Sequence, residues 1–92
     1  GSVAVDLLAF QLADPARPIE FRLDALWALN WIQSSQAQAV VRAAILDEDP
    51  RVAQAACTIT SLQRDGQALS NLKQQLSSTS LHVRRAALEA CG

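Results

Sequence analysis

At 92 residues, half of them apolar and with a formal net charge of −1, the chain is sized for one small domain with no excess of either charge. That balance argues against steering toward nucleic acid or an anionic bilayer, and no apolar run approaches the ~20 residues of a membrane span. Ala, Leu and Gln dominate while Tyr and Met are absent, which favours helix from end to end.

In chain order, Gly1-Ser2 reads as a cloning scar, and residues 3–17 as a half-repeat. A helix is predicted over about 3–13, with Leu8 and Leu12 facing inward, followed by the loop Asp14-Pro15-Ala16-Arg17-Pro18. A first complete repeat spans 18–48, with helices predicted over about 19–33 and 35–47. Its break is Ser34-Ser35, where Ser35 and Gln38 have the spacing of a capping box. A second repeat spans 49–79. Asp49 is placed to cap a helix over 50–64, with Pro50 at the first helical position. The break Asp65-Gly66 offers a glycine for a helix end of positive φ, and a helix over 67–77 follows. Residues 80–92 form a truncated repeat in which Ser80 caps a helix over 81–91.

The repeats are visible as a 31-residue echo: Phe21, Val52 and Val83 stand 31 apart, as do Ala25, Ala56 and Ala87, and Leu26, Cys57 and Leu88. Val41 and Ile45 match Leu72 and Leu76 at the same offset, while Leu8 and Leu12 precede Val41 and Ile45 by 33 because the loop after Asp14 is two residues longer. A fixed period of this size marks stacked supersecondary units, each burying its apolar face only against its neighbours. Breaks of two to five residues require consecutive helices to run antiparallel. The expected core is Leu8, Leu12, Phe21, Ala25, Leu26, Leu29, Val41, Ile45, Val52, Ala56, Ile59, Leu62, Leu69, Leu72, Leu76, Val83, Ala87 and Leu88. About six helices are expected, in an all-α stack of antiparallel hairpins.

Two stretches carry a family resemblance. Asp49-Pro50-Arg51-Val52-x-x-Ala55-Ala56 and Val83-Arg84-Arg85-Ala86-Ala87-Leu88-Glu89-Ala90 resemble the first-helix signature of HEAT-like repeats. The short period is similar to that of the subgroup found in phycobiliprotein lyases. The resemblance covers residues 3–92 and implies a right-handed α-solenoid, while the Gly1-Ser2 scar and the incomplete last repeat read as a segment of a longer solenoid. Its functional implications are broad, because such repeats serve as scaffolds, lyase subunits, hydroxylases and DNA-alkylation repeat proteins.

Candidate sites are few. Cys57 shares a column with Leu26 and Leu88 and reads as a small core residue, and Cys91 aligns with Leu29 and Thr60. Two thiols and one distant His do not make a zinc site, and two unpaired thiols fit a reducing, cytoplasmic setting. His82, the single His, shares its column with Glu20 and Arg51 and should face solvent without a nucleophile or an orienting acid. No catalytic residue, metal or cofactor is therefore expected. Arg22, Arg51, Arg84 and Arg85 lie in the first turns of the first helices, close in sequence to Asp24, Asp47, Glu48, Asp49 and Glu89. An acid–base ladder between repeats accounts for them better than a phosphate track.

The sharpest departure from the pattern is Leu23, Trp27 and Trp31, spaced i, i+4 and i+8 on one helical stripe. Leu23 shares its column with Gln54 and Arg85, and Trp27 with Thr58 and Glu89, so both are expected at the surface. Trp31 aligns with Leu62. An exposed Leu–Trp stripe has the composition of a protein-binding hot spot. Competing accounts are cover by an upstream repeat, cover by the 14–18 loop, or an indole lying flat on the surface. Arg42 and Lys73, one column on the second helices, form a weaker polar set. The expected role is a non-catalytic protein-interaction scaffold, with self-association through uncovered end faces as a risk. The alternative, which the resemblance implies, is a subunit associated with a phycobiliprotein-lyase-like enzyme.

Overall fold

The computed structural model describes residues 2–92 and is helical with no strand among them. Six α-helices run in order: α1 (Ser2–Ala13), α2 (Ile19–Trp31), α3 (Ser35–Ala44), α4 (Pro50–Gln63), α5 (Leu69–Gln75) and α6 (Leu81–Cys91). A single 3-10 turn, Gly66–Ala68, leads into α5. The helices α2, α4 and α6 pack in succession, with α1 against α2 and α3, α3 against α4, and α5 against α6. The result is a slab of 33 × 28 × 15 Å.

Local chemistry sets the helix starts. Asp49 accepts from the Arg51 N–H at 2.9 Å ahead of Pro50, and Ser80 accepts from the Val83 N–H at 3.4 Å. The cap of α3 is Ser34, which accepts from the Ala37 N–H at 3.1 Å; the Ser35–Gln38 capping box does not form. Position 34 is the extended residue, with ψ 157, and so points its hydroxyl at the free amides. The expectation for Gly66 also fails. Arg64 takes the left-handed conformation, at φ 52, and the Asp65 N–H closes on the Thr60 carbonyl at 3.1 Å. The chain reverses there before it reaches the glycine, and Asp65 then caps the 3-10 turn through the Gln67 N–H at 3.1 Å.

The buried core runs through Leu12, Ala25, Leu26, Leu29, Val41, Ile45, Val52, Ala56, Ile59, Leu72, Val83 and Ala87, as the periodicity requires. Cys57 is fully buried among them, and Val5, Ala37, Ala44, Ala53 and Ala68 join the core unannounced. Phe21, Leu62, Leu69, Leu76 and Leu88, expected inside, are exposed, and Leu8 is only partly buried. Three of these corrections share one cause. Phe21 belongs to the column of buried Val52 and Val83, Leu88 to that of buried Leu26 and Cys57, and Leu76 to that of buried Leu12 and Ile45. Leu69 differs: its column runs through half-buried Gln38 to buried Val5, so that position borders the core and does not sit within it. Each of the first three columns is buried between packed helices inside the molecule and open at one end of it. Leu62 has a different cause, taken up below.

The least expected core member is Arg22. It is 4% exposed, its Nε donates to the Leu12 carbonyl at 2.8 Å, and its Nη2 donates to Asp47 Oδ2. Asp47 Oδ1 accepts from the Asp49 N–H at 2.8 Å. One guanidinium thus ties the end of α1 to the loop that introduces α4, and both Asp47 carboxylate oxygens are hydrogen-bonded.

Candidate protein-interaction surface

The stripe on α2 divides along its length. Leu23 is half-buried and packs against the core, Trp27 is 40% exposed, and Trp31 at the helix end is 83% exposed. Beside Trp31 stands Leu62, 66% exposed near the end of α4. The two flank an open depression of about 550 Å³ whose remaining wall is Asn30, Gln33, Ser34, Ser35, Gln38 and Gln63. Gln63 Nε2 donates to Asn30 Oδ1 at 3.1 Å, fastening α4 to α2 directly beside the two apolar side chains.

Periodicity could not find Leu62 as a surface residue. An apolar column filled by Trp31 and Leu62 has the same sequence signature as a core column. Here both members sit in the last turn of their helices, where the chain turns away and no element covers them. This apolar pair in a polar frame is the composition that marks protein contacts: an aromatic anchor surrounded by amide and hydroxyl groups able to satisfy a partner's backbone.

The second-helix residues are not part of that surface. Arg42 lies on α3 with its side chain 16% exposed, its Nη1 donating to Gln67 Oε1 at 2.8 Å and its Nε 3.5 Å from Asp65 Oδ2. Its carbonyl accepts from Asn71 Nδ2 at 2.8 Å, and the Ile45 carbonyl accepts from Gln75 Nε2 at 2.6 Å. Arg42 is therefore a tie between successive hairpins. Lys73, one repeat on, is exposed on α5 and makes no ion pair among the described residues.

The arginine row is likewise dispersed. Arg22 is internal, Arg51 binds Asp49 at 2.9 Å, and Arg84 donates to the Ser78 carbonyl at 3.2 Å. The hydrogen bond from Arg51 holds the Asp49 carboxyl below its ordinary range. Burial, and then the nearby Cys91, push the Cys57 thiol up to about 11, leaving it protonated and unreactive at neutral pH. His82 is exposed near the start of α6. Among the described residues no three His, Cys, Asp or Glu side chains gather as a metal site, and no helix is long and apolar enough to cross a membrane. No family model, curated protein or solved structure matches the chain.

Proposed function

We propose that this chain is a non-catalytic protein-interaction scaffold, a segment of a right-handed HEAT-like stack whose partner is another protein. The observation that carries the reading is the Trp31–Leu62 pair. Two large apolar side chains stand exposed at helix ends around one polar depression, although Leu29 and Ile59 on the same helices are fully buried. Nothing in the folding of this domain requires that exposure, and single large aromatics in such settings supply most of the affinity of protein interfaces. Trp27 extends the same stripe, with half-buried Leu23 at its foot. The 31-residue columns, the succession α2, α4, α6 and the cross-hairpin bonds of Arg42, Asn71 and Gln75 support the repeat reading. The two unpaired thiols fit a cytoplasmic setting.

The test is capture from source-cell lysate by the wild type and by a Trp31→Ala, Leu62→Ser double variant. Both positions are exposed, so the variant should keep its circular dichroism spectrum and shift Tm by only a few degrees. A protein bound by the wild type and lost by the variant supports the proposal. Equal capture by both, or capture by neither, contradicts it.

A further inference from the structure

We infer that two copies of this chain join head to tail, the α5–α6 end of one docking on the α1–α2 end of the next. The inference is independent of the Trp31–Leu62 surface.

The helix order permits it. The described residues open on a second-type helix, α1, and close on a first-type helix, α6. An incoming α1 would therefore stand against α6 as α3 stands against α2, and the incoming α2 would follow α6 as α4 follows α2.

The apolar residues fit the same arrangement. Leu76 and Leu88 are exposed at one end, and Leu7 and Phe21 at the other. Leu88 repeats the internal position of Leu26 and Cys57, Leu76 that of Leu12 and Ile45, and Phe21 that of Val52 and Val83. All six counterparts are buried where one repeat meets the next. Each open face thus carries side chains of the class that closes the same joint inside the molecule.

Charge gives the argument its direction. Arg22 bonds a carbonyl at the end of the preceding second helix and then the Asp47 carboxylate of the loop that follows. Arg84 occupies the same column and already bonds the Ser78 carbonyl of the preceding loop at 3.2 Å, but it has no carboxylate. The loop that would follow it is the copy's own α1–α2 loop, where Asp14 holds the column of Asp47. The preparation is the same in both: Asp14 Oδ1 accepts from the Ala16 N–H at 2.9 Å, as Asp47 Oδ1 accepts from the Asp49 N–H at 2.8 Å. Asp14 Oδ2 has only Arg17 near it, at 3.7 Å and in a half-exposed pair, which is a weak competitor. Arg84 of one copy and Asp14 of the next reproduce the internal Arg22–Asp47 tie. Such a contact is heterologous, so it propagates and does not close in pairs.

Sedimentation velocity over a wide concentration range tests this with variants at exposed positions. The wild type should grow through dimers to longer species as concentration rises. Leu88→Asp and Leu7→Asp, each spoiling one end, should be monomeric alone, yet a 1:1 mixture should form a heterodimer through the two intact ends. Arg84→Asp should weaken assembly about tenfold or more, and the double reversal Arg84→Asp, Asp14→Arg should restore it. A wild type that stays monomeric at every concentration overturns the inference, as does a closed dimer that survives in either Leu variant or a mixture that remains monomeric. Circular dichroism on each variant separates lost assembly from lost fold. If an Asp substitution unfolds the chain, Leu88→Ser and Leu7→Ser make the same comparison.

Discussion

Leu26 and Leu88 are the same residue in the same column of two repeats, yet Leu26 is 0% exposed and Leu88 is 64% exposed. Both follow a buried alanine, Ala25 and Ala87, on helices packed against α4. Arg22 and Arg84 repeat the contrast in charge: the first is enclosed with a carbonyl and a carboxylate, while the second is exposed, bonds only the Ser78 carbonyl and lacks the acid. Between these equivalent positions, what a residue contributes depends on whether a packed helix covers it, and hardly on the residue itself. The middle of the molecule and its ends therefore have different energetics written in the same letters.

Substitutions can break or sharpen that contrast. Leu26→Ala should cost about 3 kcal/mol in denaturant unfolding, the range for a buried leucine replaced with a cavity left behind. Leu88→Ala in the same assay, at a concentration low enough to keep the chain monomeric, should cost under about 0.5 kcal/mol. Arg22→Ala should cost about 3 kcal/mol, because it strands Asp47 in a mostly buried site, whereas Arg84→Ala should be close to neutral. Equal losses within either pair would erase the distinction between middle and ends.

A smaller effect concerns α4, the helix with neighbours on both sides. Asp49→Ala should cost about 1 kcal/mol at neutral pH through loss of the cap. The folded carboxyl titrates below its unfolded value of about 3.9, so the stabilisation is present above that pH and disappears as pH falls through the folded value. Stability curves of wild type and Asp49→Ala should therefore converge on acidification. The smallest expected change is a gain. Arg64→Gly relieves a left-handed residue and should raise stability by about 0.5 kcal/mol, the steric relief being partly offset by glycine's unfolded-state entropy.

The helix pattern was legible in the sequence because apolar spacing and polar caps are local properties. Asp49, Pro50 and Ser80 place two helix starts within a residue. The interior columns were legible for the same reason, down to Cys57 in place of a leucine. Phe21, Leu76 and Leu88 were misjudged because a column average assumes that every repeat has two neighbours. Arg22 was hidden by its type: arginine is normally a surface residue, and only the convergence of the Leu12 carbonyl and Asp47 makes its burial tolerable. Of the surface site, Trp27 was legible from its polar counterparts Thr58 and Glu89. Trp31 and Leu62 were ambiguous, since two apolar residues in one column read as core wherever the chain does not turn away.

Residue-resolved amide hydrogen exchange on the dilute, monomeric protein tests most directly whether neighbours supply the stability. Amides in the middle of α4, flanked on both sides, should exchange only through global unfolding and carry the full unfolding free energy. Those of α1 and α6 should open locally, with protection lower by at least about tenfold. Equal protection from α1 through α6 would contradict the account, because it would make the fold a single cooperative unit in which the exposed faces of the end helices are immaterial.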